Sequence, residues 1–134
     1  MSGNLGYELD LTRLSDNEKI LVKQQVSLYK AIRPLVQFGD LYRILSPFEG
    51  NEASWSYISK DKTQAIIFYF RVLAQPGAPI RTLRFKGLNP DYFYRDEVSS
   101  NVYGGDELMN VGVTVPFENG DFISRSWRFA RCPD

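Results

Sequence analysis

The 134-residue chain carries 16 Lys and Arg against 16 Asp and Glu, a formal net charge of zero, with no histidine and one cysteine. At 43% hydrophobic and 14% aromatic residues it holds enough apolar surface for one packed domain, which excludes a disordered chain. Zero net charge without a basic block argues against nucleic acid or an anionic membrane as partner, and no apolar run reaches the about 20 residues that span a bilayer.

Nothing at the start resembles a charged-then-apolar signal peptide. The lone Cys132 has no internal disulfide partner, and no thiolate metal set accompanies it. The expectation is a soluble, cytoplasmic domain with no cofactor and no metal. The missing histidine also removes the commonest general base near neutral pH.

The leading segment Met1 to Leu11 places Leu5, Tyr7, Leu9 and Leu11 in alternation, a strand-like pattern. Ser15 followed by Glu18 then has the spacing of a capping box, with Asp16 adding negative charge to a first helical turn. On a helical wheel Leu21, Val22, Val26, Leu28, Tyr29 and Ile32 share one wide face, and Lys19, Lys23 and Lys30 lie opposite. Pro34 disfavours helical geometry at Arg33, so the pattern predicts an amphipathic helix over 16–33. An apolar helix face after an isolated extended segment reads as the end of an alternating strand–helix pattern, which one small sandwich need not cover entirely.

From Gln37 onward short β-rich runs alternate with turn signals. Strands are predicted at 41–45, 54–59, 64–73, 80–86, 92–95, 111–115 and 122–129, a spacing that argues for an antiparallel sandwich or barrel. The run Ala65 to Leu73 is apolar on both faces and reads as a central strand. Asn119-Gly120 makes a hairpin between the last two runs the expected connection. The fold class predicted is therefore mainly β, an antiparallel β-sandwich preceded by one amphipathic α-helix.

Glycosidase chemistry needs two carboxylates across one sugar, about 5 to 9.5 Å apart. The adjacent pairs Asp96-Glu97 and Asp106-Glu107, and Asp121 beside a turn, are the acids on offer, but neighbours on a strand point to opposite faces. They read as solvated turn residues. Nucleophilic triads fail for want of histidine. Gly104-Gly105-Asp106 would make a nest for an anion, yet it lacks the Lys-Ser/Thr of a phosphate loop, and a turn before a short helical stretch (Glu107 to Asn110) explains it better.

Trp55, Tyr57, Tyr69, Tyr92, Tyr94, Tyr103 and Trp127 offer faces for stacking on sugars, against a plainer reading as sandwich core. Arg71, Arg81, Arg84, Arg125 and Arg128 lie in or near strands, where stems cover apolar surface and heads pair with acids. No catalytic residue and no metal or cofactor ligand is assigned.

Several stretches, in order, carry a resemblance: Gly3-Asn4-Leu5-Gly6-Tyr7-Glu8-Leu9-Asp10-Leu11, Gln37-Phe38-Gly39-Asp40-Leu41-Tyr42-Arg43-Ile44-Leu45-Ser46-Pro47-Phe48, Tyr69-Phe70-Arg71-Val72-Leu73, Leu83-Arg84-Phe85-Lys86-Gly87-Leu88, and Tyr103-Gly104-Gly105-Asp106-Glu107-Leu108-Met109-Asn110. Across almost the whole chain the sequence resembles the C-terminal end of bacterial α-galactosidases of glycoside hydrolase family 36. The resemblance implies residues 1–36 as the end of a (β/α)8 catalytic barrel (last strand, loop and helix) and residues 37–134 as a C-terminal antiparallel β-sandwich domain.

It also implies a parent enzyme that hydrolyses terminal α-linked galactose, of melibiose and raffinose type, with retention. That chemistry uses an aspartate nucleophile and an aspartate acid/base on earlier barrel strands. Neither motif has a matching position here, so none is carried over, and the chain alone is expected to be inactive. Its implied role is mechanical, packing on the upstream barrel and supporting a homo-oligomer. The alternative is a stand-alone carbohydrate-binding module using Trp55 or Trp127; a small-ligand barrel with a solvent-filled apolar cavity stands third.

Overall fold

The computed structural model describes residues 3–10 and 12–133, so Met1, Ser2 and Leu11 of the leading segment lie outside the described residues. Helix α1 spans Asp16–Phe38. The Ser15 Oγ accepts from the Glu18 amide at 3.4 Å, and the Ser15 amide donates to the Glu18 carboxylate at 2.8 Å, the reciprocal capping box that the spacing predicts.

The helix does not stop before Pro34; it runs through it to Phe38. Proline lacks the N–H that would reach the Lys30 carbonyl, and its ring crowds that turn, at a cost of about 3 kcal/mol. Burial outweighs this. Ile32, Leu35 and Val36 pack against Tyr57, Ile66 and Phe68, and each such side chain contributes about 1.5–3 kcal/mol when buried. The helix ends where the Gly39 amide donates to the Leu35 carbonyl at 2.8 Å. A Cβ on Gly39 would sit 2.5 Å from the Leu35 oxygen and 2.8 Å from the Ile58 oxygen, so only glycine lets the chain pass directly from helix to strand.

The remaining elements are β1 (Asp40–Leu45), β2 (Glu52–Ile58), β3 (Gln64–Arg71), β4 (Thr82–Leu83), β5 (Phe93–Asp96), β6 (Val102–Gly104), α2 (Gly105–Asn110), β7 (Val113–Thr114) and β8 (Ile123–Arg131). A six-stranded sheet has the order β1-β2-β3-β8-β5-β6, and β4 with β7 forms a two-stranded ribbon. Every pairing is antiparallel. One core joins the ribbon and α2 to the large sheet through Leu83, Phe85, Leu108 and Val113 against Ile58, Ala65, Ile67, Tyr69, Tyr94 and Phe129. On the sheet's opposite face, α1 covers Tyr57, Ile66 and Phe68, flanked by Trp55 and Phe70. The predicted sandwich is therefore present, with very unequal sheets and a helix added outside.

Two strand expectations shrink and one pairing changes. The 80–86 run is regular only at β4 and the 111–115 run only at β7, while β6 adds a short strand that its sequence does not announce. The expected hairpin between the last two runs does not form: β7 pairs with β4, and β8 lies between β3 and β5. β8 runs for 9 residues and its full length pairs with β3 from Gln64↔Ala130 to Arg71↔Ile123. A 2-residue β7 offers no ladder to compete with that.

Ile66 is 0% exposed between sheet and helix, whereas Ile80 is 84% exposed on a loop. Ile66→Ala is expected to lower the unfolding free energy by about 2–5 kcal/mol, and Ile80→Ala to change it by less than about 0.5 kcal/mol. Chemical denaturation of the two variants beside the parent chain checks both.

Candidate functional site

The carboxylates singled out by sequence serve as turn and cap ligands. Asp96 is buried and accepts from the Val98 amide at 3.1 Å and the Ser99 hydroxyl at 2.6 Å, closing the turn after β5. Its neighbour Glu97 instead pairs with Arg128 at 2.7 Å. Asp106 accepts from the Glu107 amide at 2.8 Å, while Glu107 accepts from the Gly104 amide at 3.2 Å; both are occupied at the start of α2. Asp121 accepts from the Ala74 amide at 2.7 Å. The Gly105 amide is spent on the Tyr92 carbonyl at 2.8 Å, so the glycine pair is the start of a helix and not an anion nest. Cys132 is free and half-buried. Among the described residues, no group of three or more metal-ligating side chains assembles, and no helix is long and apolar enough to cross a membrane.

The aromatic set is packing material. Trp55 stacks on Phe70 with ring centroids 5.0 Å apart, and Tyr57 meets Phe68 edge-on. Tyr94 is buried; its hydroxyl donates to the Lys62 carbonyl at 2.8 Å and accepts from the Asn89 amide at 3.1 Å. Tyr103 packs edge-on against Phe129, the Arg131 guanidinium lies 4.0 Å over the Tyr92 ring, and Trp127 packs on the main core. The most exposed rings among the described residues are Phe38, Phe48, Phe93, Phe117 and Phe122, with Tyr7 also exposed, and composition alone did not separate these phenylalanines from core ones. A loop position beside turn residues was an available sign at Phe48 and Phe117, whereas Phe122 falls in the predicted 122–129 strand and lies just before β8.

One polar cluster has shape. At the end of β3, where the strand leaves the core, Tyr69 donates its hydroxyl to Glu52 Oε1 on the neighbouring strand. The other oxygen of Glu52 pairs with Arg81 Nη2. Arg71 Nη2 donates to the carbonyls of Glu118 and Gly120 at 2.7 and 3.0 Å, and Glu118 forms a two-pronged pair with Arg125. These contacts hold the loop between β3 and β4 to β2 and the loop between β7 and β8 to β3 and β8, and the two loops meet where the Phe122 amide donates to the Val72 carbonyl at 2.9 Å. Two clefts open there, of about 340 and 260 Å³, sharing Glu52, Arg71 and Arg81. A third hollow of about 540 Å³ lies at the β1 edge beside Phe48 and Trp55. Arg84, by contrast, is exposed away from these pairs.

Electrostatics in the cluster follow its geometry. Burial of Tyr69, with the Glu52 carboxylate beside it, pushes its phenol up to about 12. The Arg125 guanidinium holds the Glu118 carboxyl below its ordinary value. Tyr69 stays protonated and donating at neutral pH. It is not a base.

An antiparallel β-domain with one long helix on the outer face of its larger sheet is the class that the fold defines. The model described as the glycosyl hydrolase family 36 C-terminal domain matches residues 52–129, and the one described as melibiase matches residues 1–39. The chain belongs to glycosyl hydrolase family 36. It is 56% identical to alpha-galactosidase AgaA of Geobacillus stearothermophilus over 96% of this chain and 17% of that protein. It is 40% identical to alpha-galactosidase 1 of Pediococcus pentosaceus over 96% of this chain and 18% of that one. The crystal structure of the Geobacillus AgaA matches with a TM-score of 0.93 at 54% identity, covering 98% of this chain and 18% of the other. The chain thus spans less than one fifth of the length of these relatives.

Because the Tyr69 phenol ionises at about 12 in the fold against an ordinary 10.0, the unfolded chain loses that proton first as pH rises. Stability is therefore expected to be unaffected by this group below about pH 10 and to fall between about pH 10 and 12. In Tyr69→Phe that part of the alkaline limb should flatten, and denaturant midpoints measured across this range for both chains check it.

Proposed function

We propose that this chain is the C-terminal region of an α-galactosidase that hydrolyses terminal α-D-galactosides with retention, and that its own role is structural. Residues 1–36 close the catalytic barrel and residues 37–134 form the β-domain packed on it. The catalytic carboxylates of such an enzyme lie on earlier barrel strands, upstream of these residues. A cytoplasmic setting belongs to the same proposal, supported by a chain with one cysteine and so no internal disulfide.

The observation that carries the reading is the unequal burial of α1. Its C-terminal half is buried on the sheet through Ile32, Leu35 and Val36. Its N-terminal half carries Ile20 and Leu21 at 53% and 55% exposed, with Leu9 of the leading segment also in the open. That segment lies along the same helix, since the Tyr29 hydroxyl donates to the Gly3 carbonyl at 2.8 Å and Tyr7 bonds to Gln25. An apolar helix half joined to a strand-patterned segment has the make-up of a barrel's last strand and helix. Homo-oligomer contact is a secondary element of the proposal, supported by Leu41 and the almost fully exposed Phe48 near the open β1 edge. Against the alternative of a free-standing sugar module on Trp55 or Trp127, the structural reading is supported by Trp55 stacking on Phe70 and Trp127 packing on the main core, both partly buried.

Two measurements test the structural role. The isolated chain is expected to show only background hydrolysis of an aryl α-galactoside, and turnover that survives purification would contradict the role. In hydrogen exchange, amides in the first turns of α1 should exchange faster than those near Ile32 to Val36, and become protected when the upstream polypeptide is covalently present. Unchanged exchange in the longer chain counts against docking.

A further inference from the structure

Asn119-Gly120 is the one Asn-Gly pair in the chain. It does not close the hairpin expected of it, since β8 pairs with β3 and β5, and it stands instead in the loop between β7 and β8. We propose that Asn119 is a site of spontaneous covalent modification. The Gly120 amide attacks its side chain and converts it to aspartyl and isoaspartyl residues, which alters the loop that holds Arg71. This goes beyond the structural role proposed above and does not rest on it.

The loop leaves both reacting groups free. Asn119 is exposed, and its side chain hydrogen-bonds to nothing among the described residues, so it can turn onto the backbone. Gly120 has φ +100° and open space where a Cβ would stand. No side chain screens its nitrogen, and its backbone reaches dihedrals that other residues seldom adopt. The Gly120 N–H donates to no acceptor among the described residues, so no hydrogen bond has to break before the attack.

The reaction needs only water. The Gly120 nitrogen loses its proton and bonds to Asn119 Cγ, and the side-chain nitrogen leaves with that proton as ammonia. Water then opens the cyclic imide. Cleavage of the Cγ–N bond gives an aspartyl residue. Cleavage at the main-chain carbonyl gives an isoaspartyl residue, whose backbone runs through Cβ and Cγ and is one atom longer. Either product puts a carboxylate in place of a neutral amide, and the chain moves from zero to one formal negative charge.

The position of the change gives it a consequence. Arg71 Nη2 donates to the carbonyls of Glu118 and Gly120 at 2.7 and 3.0 Å, so residue 119 links the two oxygens that hold the guanidinium. Arg71 faces no carboxylate among the described residues, and its Nε is buried without a hydrogen-bond partner. The acids of the cluster are engaged elsewhere, Glu52 by Tyr69 and Arg81 and Glu118 by Arg125. An aspartyl residue at 119 brings a counter-charge into the loop that Arg71 faces. An isoaspartyl residue lengthens the link and moves the two carbonyls off their common donor.

Peptide mapping of the 134-residue chain by mass spectrometry, after incubation at neutral pH and body temperature, tests the reaction. Conversion of amide to acid is expected at Asn119 about tenfold faster than at Asn101 or Asn110, which are also exposed but precede valine. In the isoaspartyl form, separated by ion exchange, the Arg71 Nε–H resonance is expected to shift while that of Arg128 stays in place. Asn119→Gln, whose extra methylene carries the side-chain carbonyl away from the Gly120 nitrogen, should keep the Arg71 resonance unchanged through the same incubation. Two results would overturn the proposal: conversion at Asn119 no faster than at Asn101 and Asn110, or an isoaspartyl form in which the Arg71 resonance does not move.

Discussion

β3 is the constraint around which the domain is arranged, because it is buried on both faces. Ala65, Ile67 and Tyr69 face the ribbon and α2, and Ile66 and Phe68 face α1. A strand that is apolar on both sides has to be covered twice, and each cover serves a different purpose. The inner cover completes the β-domain. The outer cover is a helix whose far half remains apolar and open, so covering β3 also ties the β-domain to whatever that helix belongs to.

The same strand sets the polar cluster. Its alternation brings Tyr69 and then Arg71 to the inner face just where the core ends, opposite Arg125 and Ile123 of β8. Polar groups there draw partners from Glu52 of β2, Arg81 just before β4 and the carbonyls of 118 and 120, while Arg71 Nε and Arg81 Nε are buried without a hydrogen-bond partner.

How far the sequence could be read depended on the range of the forces involved. The capping box at Ser15 and Glu18, the central strand and the packing role of the tryptophans rest on local geometry or on the two-face pattern of one segment, and all were legible. Pro34 was misread because proline's local preference opposes a burial term contributed by Tyr57, Ile66 and Phe68, which are remote in sequence. The hairpin was misread because Asn119-Gly120 satisfies a local turn preference while β8 gains its long ladder from β3. Val102 to Gly104 became a strand only because β5 lay beside it. The cleft was invisible for the same reason: Glu52, Tyr69, Arg81 and Phe117 share no motif and meet only through folding.

By itself the sequence determined the class of the molecule: an antiparallel β-domain after one amphipathic helix, with family 36 character written in strings spread along the chain and no local constellation for catalysis. Composition and periodicity are properties of single segments, so they survive without any knowledge of partners. Tertiary structure alone decided where the helix ends, which strands pair, and which aromatic rings reach solvent. Those outcomes depend on burial shared between residues far apart in the chain, and a one-dimensional pattern does not contain that shared energy.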